Sequence, residues 1–196
     1  MNQSYVKDYL KLNCSGQLQE LFSKSHNPFK EITESMSAWV NMKEFINPKD
    51  ENWNYVFIGD GSLCLTGALY SFLSKSKSYS IDPLINKERI TDWVNMEKVK
   101  NFNWYKEKYQ EFKNASISCD LILVHAHVNL KEVIQYFPNW RYLYTNPCCN
   151  IYDQTFSLQF QEENNITCMK SGFDNNIISS KNLIFVYYNK LFGEKK

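Results

Sequence analysis

Gly59, Gly61 and Asp82 are the residues whose types and spacing point most directly to chemistry. They stand in Asn54-Tyr-Val-Phe-Ile-Gly-Asp-Gly-Ser-Leu-Cys-Leu-Thr-Gly67 and in its sequel, Tyr79-Ser-Ile-Asp-Pro83. Glycines one residue apart can adopt positive φ and let bare backbone approach a ligand beside a helix N-terminus. A carboxylate about twenty residues further on can accept hydrogen bonds from both hydroxyls of a ribose. Pro83 then ends the strand and turns the chain outward. A dinucleotide site would want a third Gly or Ala at the sixth position of the glycine motif, where Cys64 stands. No Gly-Lys-Ser or Gly-Lys-Thr follows, which excludes a P-loop. A nucleoside cofactor without pyrophosphate fits best.

Two further groups could act beside such a cofactor. His125-Ala-His127 ends the apolar run Asp120 to Val128, so both imidazoles should point to one face of an extended segment. They could line an adenine pocket, and His127 could orient a substrate; no third metal ligand is visible, so no metal site is expected. Asn146-Pro-Cys-Cys149 follows another strand, where Asn146 could position an acceptor. The six cysteines include no Cys-x-x-Cys pair, so neither a zinc ribbon nor a redox motif is supported, and buried structural thiols are expected.

These residues need an α/β framework to bring them together. Strands are predicted over Tyr55–Ile58, Ser78–Ile81, Asn101–Tyr105, Asp120–Val128, Arg141–Tyr144 and Leu183–Tyr188. Helices are predicted over Ser62–Lys75, Asn86–Lys98 and Leu130–Phe137. The run from Asp120 is continuously apolar, as a central parallel strand should be. Residues 1–50 read as a helical extension, with apolar spacing of three and four in Tyr5–Leu12, Gln17–Phe22 and Met36–Ile46. Asn27-Pro28 and Asn47-Pro48 mark its breaks. Residues 51–196 should form the α/β part of one structural domain. In an open α/β sheet, ligands bind beyond the carboxyl ends of the strands, so Gly59-Asp60-Gly61, Asp82-Pro83, His125-Ala-His127 and Thr145–Cys149 should converge.

A chain of 196 residues with 43% hydrophobic and 16% aromatic content can bury a proper core. A net charge of +1 sets up no global field to recruit nucleic acid or anionic lipid. No apolar run is long enough to span a bilayer, and the opening Met1-Asn-Gln-Ser-Tyr-Val-Lys-Asp lacks the apolar core of a signal peptide. A soluble, cytoplasmic protein is expected.

Through Gly59-x-Gly61 and Ile81-Asp82-Pro83, the chain resembles the class I S-adenosylmethionine-dependent methyltransferases. The run Gly59-Asp-Gly-Ser-Leu-Cys-Leu-Thr66 is also similar to the Gly-x-Gly-Pro-Leu-Pro-Leu-Thr loop of nicotianamine synthase, which has the same core fold. The resemblance implies a Rossmann-like, mostly parallel sheet with helices on both faces. It implies S-adenosylmethionine as cofactor, held by Gly59, Asp60, Gly61, Leu63, Asp82, Pro83 and His125. His127 and Asn146 would position the acceptor. The acidic residue usual two places before the first glycine is Phe57 here, so Asp60 would have to replace it at the methionine end. Pro147-Cys148 resembles the nucleophile motif of cytosine-5 methyltransferases, but it follows the fifth strand rather than the fourth. The Lys-Asp-Lys-Glu tetrad of ribose 2′-O-methyltransferases has no counterpart. A site without an acid–base set suits guanine N7, whose lone pair needs only in-line positioning. RNA, in particular a viral mRNA cap, is therefore the expected acceptor. The alternatives are an inactive methyltransferase-like binding module, a cysteine-dependent or tRNA methyltransferase, and an aminopropyl transferase.

Overall fold

The computed structural model describes residues 4–192. Met1–Gln3, part of the opening read as lacking a leader, and the last four residues lie outside that range.

Three helices come first: α1 (Ser4–Leu10), α2 (Ser15–Ser23) and α3 (Pro28–Met42). Helix α3 begins where Asn27 accepts a hydrogen bond from the Lys30 amide and Pro28 supplies a first position that needs no donor. The α/β part follows as β1 (Asn54–Ile58), α4 (Leu65–Leu73), β2 (Ser78–Ile81), α5 (Lys87–Glu97), β3 (Phe102–Tyr105) and β4 (Cys119–Val124). It continues with α6 (Leu130–Tyr136), β5 (Trp140–Asn146), α7 (Leu158–Glu163), β6 (Ile166–Phe173) and β7 (Leu183–Asn189). Together the strands make one seven-stranded sheet in the order β3-β2-β1-β4-β5-β7-β6. Strands β1 to β5 pair in parallel; β7 runs antiparallel to both β5 and β6. The fold is the Rossmann-like α/β class expected, with its switch point between β1 and β4.

Two apolar clusters cover the two faces of this sheet. One includes α1, α2 and α3 together with Tyr55, Phe57 and Tyr70, so the N-terminal helices share the sheet's own core. Asp174, just past β6, strengthens this attachment: it accepts hydrogen bonds from Tyr5 (2.7 Å), Ser37 (2.7 Å) and Asn41 (3.2 Å). The other cluster holds Val56, Leu121, Leu123, Val133 and Phe137 under α6. Asp120, fully buried, is paired with Arg141 at 2.7 Å, whose guanidinium also lies over the Trp53 ring.

Three expectations need correcting. Strand β4 stops at Val124, not Val128, because His125 takes a left-handed backbone (φ 52°) that breaks the ladder. His125 and His127 therefore do not share one face of a strand. The polar stretch after Pro147 contains α7 and the eight-residue strand β6, neither of which was expected.

Close packing of α4 on β2 and β3 depends on Gly67. A Cβ built there would stand 2.1 Å from Ser80 Oγ and 3.0 Å from Asp60 Oδ2. Gly67 thus fills the helix–strand packing role that the sequence motif places at Cys64. Gly67→Ala should lower stability by about 1–3 kcal/mol through overpacking. Gly16→Ala, which meets nothing within 4 Å, should leave it unchanged or raise it slightly. Equilibrium urea denaturation of both variants tests this.

Candidate functional site

The turn between β1 and α4 is built from three left-handed residues: Gly59 (φ 69°), Gly61 (φ 71°) and Cys64 (φ 51°). At Gly59 a side chain is excluded twice, by its φ and by Ala126, whose Cβ would stand 2.9 Å from the added carbon. Gly61 faces open space and leaves its backbone bare.

Two carboxylates pin this turn from opposite sides. Asp60 turns its side chain under the helix, where Oδ1 accepts from the Thr66 amide (3.1 Å) and Oδ2 from the Gly67 amide (2.9 Å) and Ser80 Oγ (2.6 Å). Burial pushes its carboxyl up to about 6, against the pull of these three donors. Asp60 therefore occupies the donor-rich N-terminus of α4 itself. No phosphate can use those amides, in keeping with a cofactor that carries no pyrophosphate.

Asp82 pins the turn from the β2 side. It is 7% exposed; one oxygen accepts from the Gly61 amide at 3.0 Å and the other from the Leu84 amide at 2.7 Å. Each oxygen keeps one acceptor position free. The carboxylate borders a crevice of about 440 Å³ whose walls include Gly59, Pro83, Leu84, Tyr109, His125 and His127. Leu84 is 72% exposed at its mouth, an apolar side chain standing at a polar rim.

A second, narrower cavity of about 170 Å³ shares Gly59 and His125 with the first. Its far wall comes from α3: Lys30, Glu31 and Glu34. Glu34 is 1% exposed, and Lys30 Nζ donates to its Oε2 at 3.0 Å. Its Oε1 has no hydrogen-bond partner. Burial raises Glu34 to about 7, with Lys30 pulling the other way. His125 Nε2 lies 3.4 Å from that oxygen, but burial drives the imidazole down to about 4. The contact is therefore between a neutral ring and an under-satisfied carboxyl, not an ion pair.

The structure brings Gly59, Asp60, Gly61, Asp82, Pro83, His125 and His127 around these two cavities. Leu63 is not in their walls; it is buried in the apolar core. Asn146 is 1% exposed, and its amide donates to the Lys181 and Leu183 carbonyls (2.9 and 2.8 Å), fastening the end of β5 to the start of β7. The sequence reading missed Glu34 and Lys30, because a Glu four residues after a Lys on a helix reads as a solvated pair. It also missed the approach of Cys148 and Cys149 to His127, at 3.5 and 3.3 Å.

No protein-family model and no curated protein matches the sequence. Solved structures do. A Glu-to-Gln mutant of MtNAS in complex with S-adenosylmethionine superposes with a TM-score of 0.57 at 15% identity, over 94% of this chain and 76% of that one. Magnesium protoporphyrin IX methyltransferase (ChlM) from Synechocystis PCC 6803, with bound SAH, gives 0.58 at 10% identity, over 96% and 100%. A candidate RNA methyltransferase from Pyrococcus horikoshii gives 0.58 at 12% identity, over 91% and 98%. The fold of this chain is that of the class I methyltransferases. No helix among the described residues is long and apolar enough to cross a membrane.

Asp60 should behave as a structural residue. Asp60→Ala strands two backbone amides and a buried hydroxyl, and should lower stability by about 3 kcal/mol in urea denaturation. A variant as stable as the parent would show that the turn holds without it.

Proposed function

We propose that this protein is an S-adenosylmethionine-dependent methyltransferase, with RNA as acceptor. One observation carries the cofactor reading: the Asp82 carboxylate at 3.0 Å from the Gly61 amide, on the wall of a crevice of about 440 Å³. A ribose there meets an acceptor for both hydroxyls, and Pro83 and Leu84 offer the adenine an apolar edge.

The narrower cavity fits the other end of the cofactor. Methionine carries one ammonium and one carboxylate, so its recognition needs an anion and a cation side by side. Glu34 and Lys30 are such a pair, and the unpartnered Glu34 Oε1 is an orphan that an ammonium would satisfy. This assignment removes the difficulty posed by Phe57, because the acidic group comes from α3 rather than from β1. Bound in this position, S-adenosylmethionine supplies an electrophilic sulfonium methyl. The chain's own part is to orient the donor and to hold the acceptor in line with it.

RNA is favoured as acceptor by the exposed Lys108, which lines the crevice beside Tyr109. The candidate RNA methyltransferase among the structural neighbours supports the same choice. Guanine N7 of an mRNA cap is the acceptor atom that needs least from the protein, since no proton has to be removed.

Calorimetry with S-adenosylmethionine and S-adenosylhomocysteine should give micromolar binding, which Asp82→Ala weakens about tenfold or more. Unchanged affinity in that variant would remove the ribose assignment. Tritium transfer to capped RNA, uncapped RNA and tRNA then identifies the acceptor; no transfer to any of the three would set RNA aside.

The Glu34 assignment has its own pH signature. The folded carboxyl sits near 7, above its usual 4.5, so it is largely neutral at pH 6 and charged at pH 8. Only the charged form attracts an ammonium. Cofactor affinity should therefore rise severalfold between pH 6 and pH 8, and Glu34→Gln should flatten that slope while weakening binding at the upper end. The same raised carboxyl favours the folded state below its shifted value, so its contribution to stability falls as pH rises from about 4.5 through 7.

A further inference from the structure

The loops after β4 and β5 bring together an imidazole on the crevice wall and two thiols outside it. His127, Cys148 and Cys149 place three potential ligand atoms within 4.8 Å of one another. The two Sγ atoms stand 3.6 Å apart; Cys148 Sγ is 3.5 Å from His127 Nε2, and Cys149 Sγ is 3.3 Å from Nδ1. With Zn–S near 2.3 Å and Zn–N near 2.0–2.1 Å, the edges of a tetrahedral site come out at about 3.5–3.8 Å. The sulfur–sulfur separation falls on such an edge. The two sulfurs face different nitrogens of the His127 ring, and one nitrogen with both sulfurs stays within 4.8 Å, so a small turn of the exposed imidazole closes the triangle.

We propose that Cys148, Cys149 and one imidazole nitrogen of His127 form a binding site for a thiophilic divalent metal, zinc being the expected ion. Two sulfurs and an imidazole favour zinc over magnesium or calcium, which take oxygen ligands. Three protein ligands leave a fourth position for water or a substrate atom, the pattern of reactive rather than purely structural zinc sites. His127 and Cys149 are exposed, so the ion has a way in and the fourth position reaches solvent. His127 also lines the cofactor crevice, whereas Cys148 and Cys149 line a neighbouring cavity of about 170 Å³ with Lys181 and Phe173. The metal would sit at the joint between the two.

A buried residue already holds the ligand loops in place. Gln154, 3% exposed, accepts from the Cys148 amide at 3.0 Å through Oε1 and donates to the Ala126 carbonyl at 2.7 Å through Nε2. One side chain therefore fixes the His127 loop against the Cys148 loop, as second-layer groups around metal sites do. The alternative use of adjacent cysteines is a disulfide between them, which would abolish the site and shows in a thiol count.

The proposal does not depend on methyl transfer and is tested without it. The reduced, metal-free chain, its free thiols counted first, is titrated with zinc by competition against a chromogenic chelator, and with cobalt by absorption. One equivalent of zinc should bind, and the cobalt form should show thiolate charge-transfer bands with tetrahedral d–d bands. Cys148→Ser, Cys149→Ser and His127→Ala should each weaken zinc by about 100-fold, and Gln154→Ala by about tenfold. Cys168→Ser, remote in the sequence on β6, should bind as the parent does. Zinc should also raise the unfolding temperature of the parent but not of Cys149→Ser. Fully reduced thiols that take up no stoichiometric zinc, or cobalt spectra without thiolate bands, would overturn the site. So would affinity unchanged in both cysteine variants.

Discussion

The β1–α4 turn is the constraint on which the rest of this structure depends. Three departures into left-handed backbone within six residues, at Gly59, Gly61 and Cys64, are unfavourable together, and at the cysteine the Cβ adds to the cost. They persist because Asp60 holds the turn from below and Asp82 from the β2 side. Burying two carboxylates so near each other is costly unless donors meet them. Here the backbone amides of Gly61, Thr66, Gly67 and Leu84 and the Ser80 hydroxyl do so. Turn, helix start and two strand ends therefore form one hydrogen-bonded unit. The bare backbone that a cofactor could approach is what remains of that unit on its open side.

The N-terminal helices follow from the same constraint rather than standing apart from it. Helix α3 lies across the mouth of the turn and contributes Lys30 and Glu34 to the narrower cavity. It is held there by the apolar cluster it shares with β1 and α4 and by the hydroxyl and amide bonds to Asp174. Ser35 adds a hydroxyl contact to Thr66 at 3.1 Å, directly on the first turn of α4. The part of the chain that reads as a preface is thus one wall of the site.

Much of this was legible in the residues. Strands β1 and β4 are short apolar runs bounded by turn residues, as buried parallel strands tend to be. The pairing of a glycine bend with a carboxylate twenty residues later was also readable, since both ends follow from local backbone needs. Strand β6 was not legible. Its burial alternates weakly around Lys170, Ser171 and Gly172, because it is an edge strand that buries few side chains. The end of β4 was misjudged because a left-handed histidine is rare and nothing in His125-Ala-His127 announces it. The hydrogen bonds of Asp60 to Thr66, Gly67 and Ser80 were not legible, since a carboxylate in a glycine loop can face either way. Glu34 and the Cys148–Cys149 pair acquire their character only from distant neighbours, which no local pattern records.

The strand order also bears on how the chain is assembled as it leaves the ribosome. Strand β5 emerges with one side bonded to β4, and its other side waits for a partner made about forty residues later. The segment that arrives in between, β6, belongs at the sheet's margin and cannot take that place without excluding β7. For that interval of synthesis an apolar border containing Leu143 and Tyr144 is uncovered. A chaperone that recognises extended apolar backbone would find its opening there, and would lose it once residues 183–189 slide in.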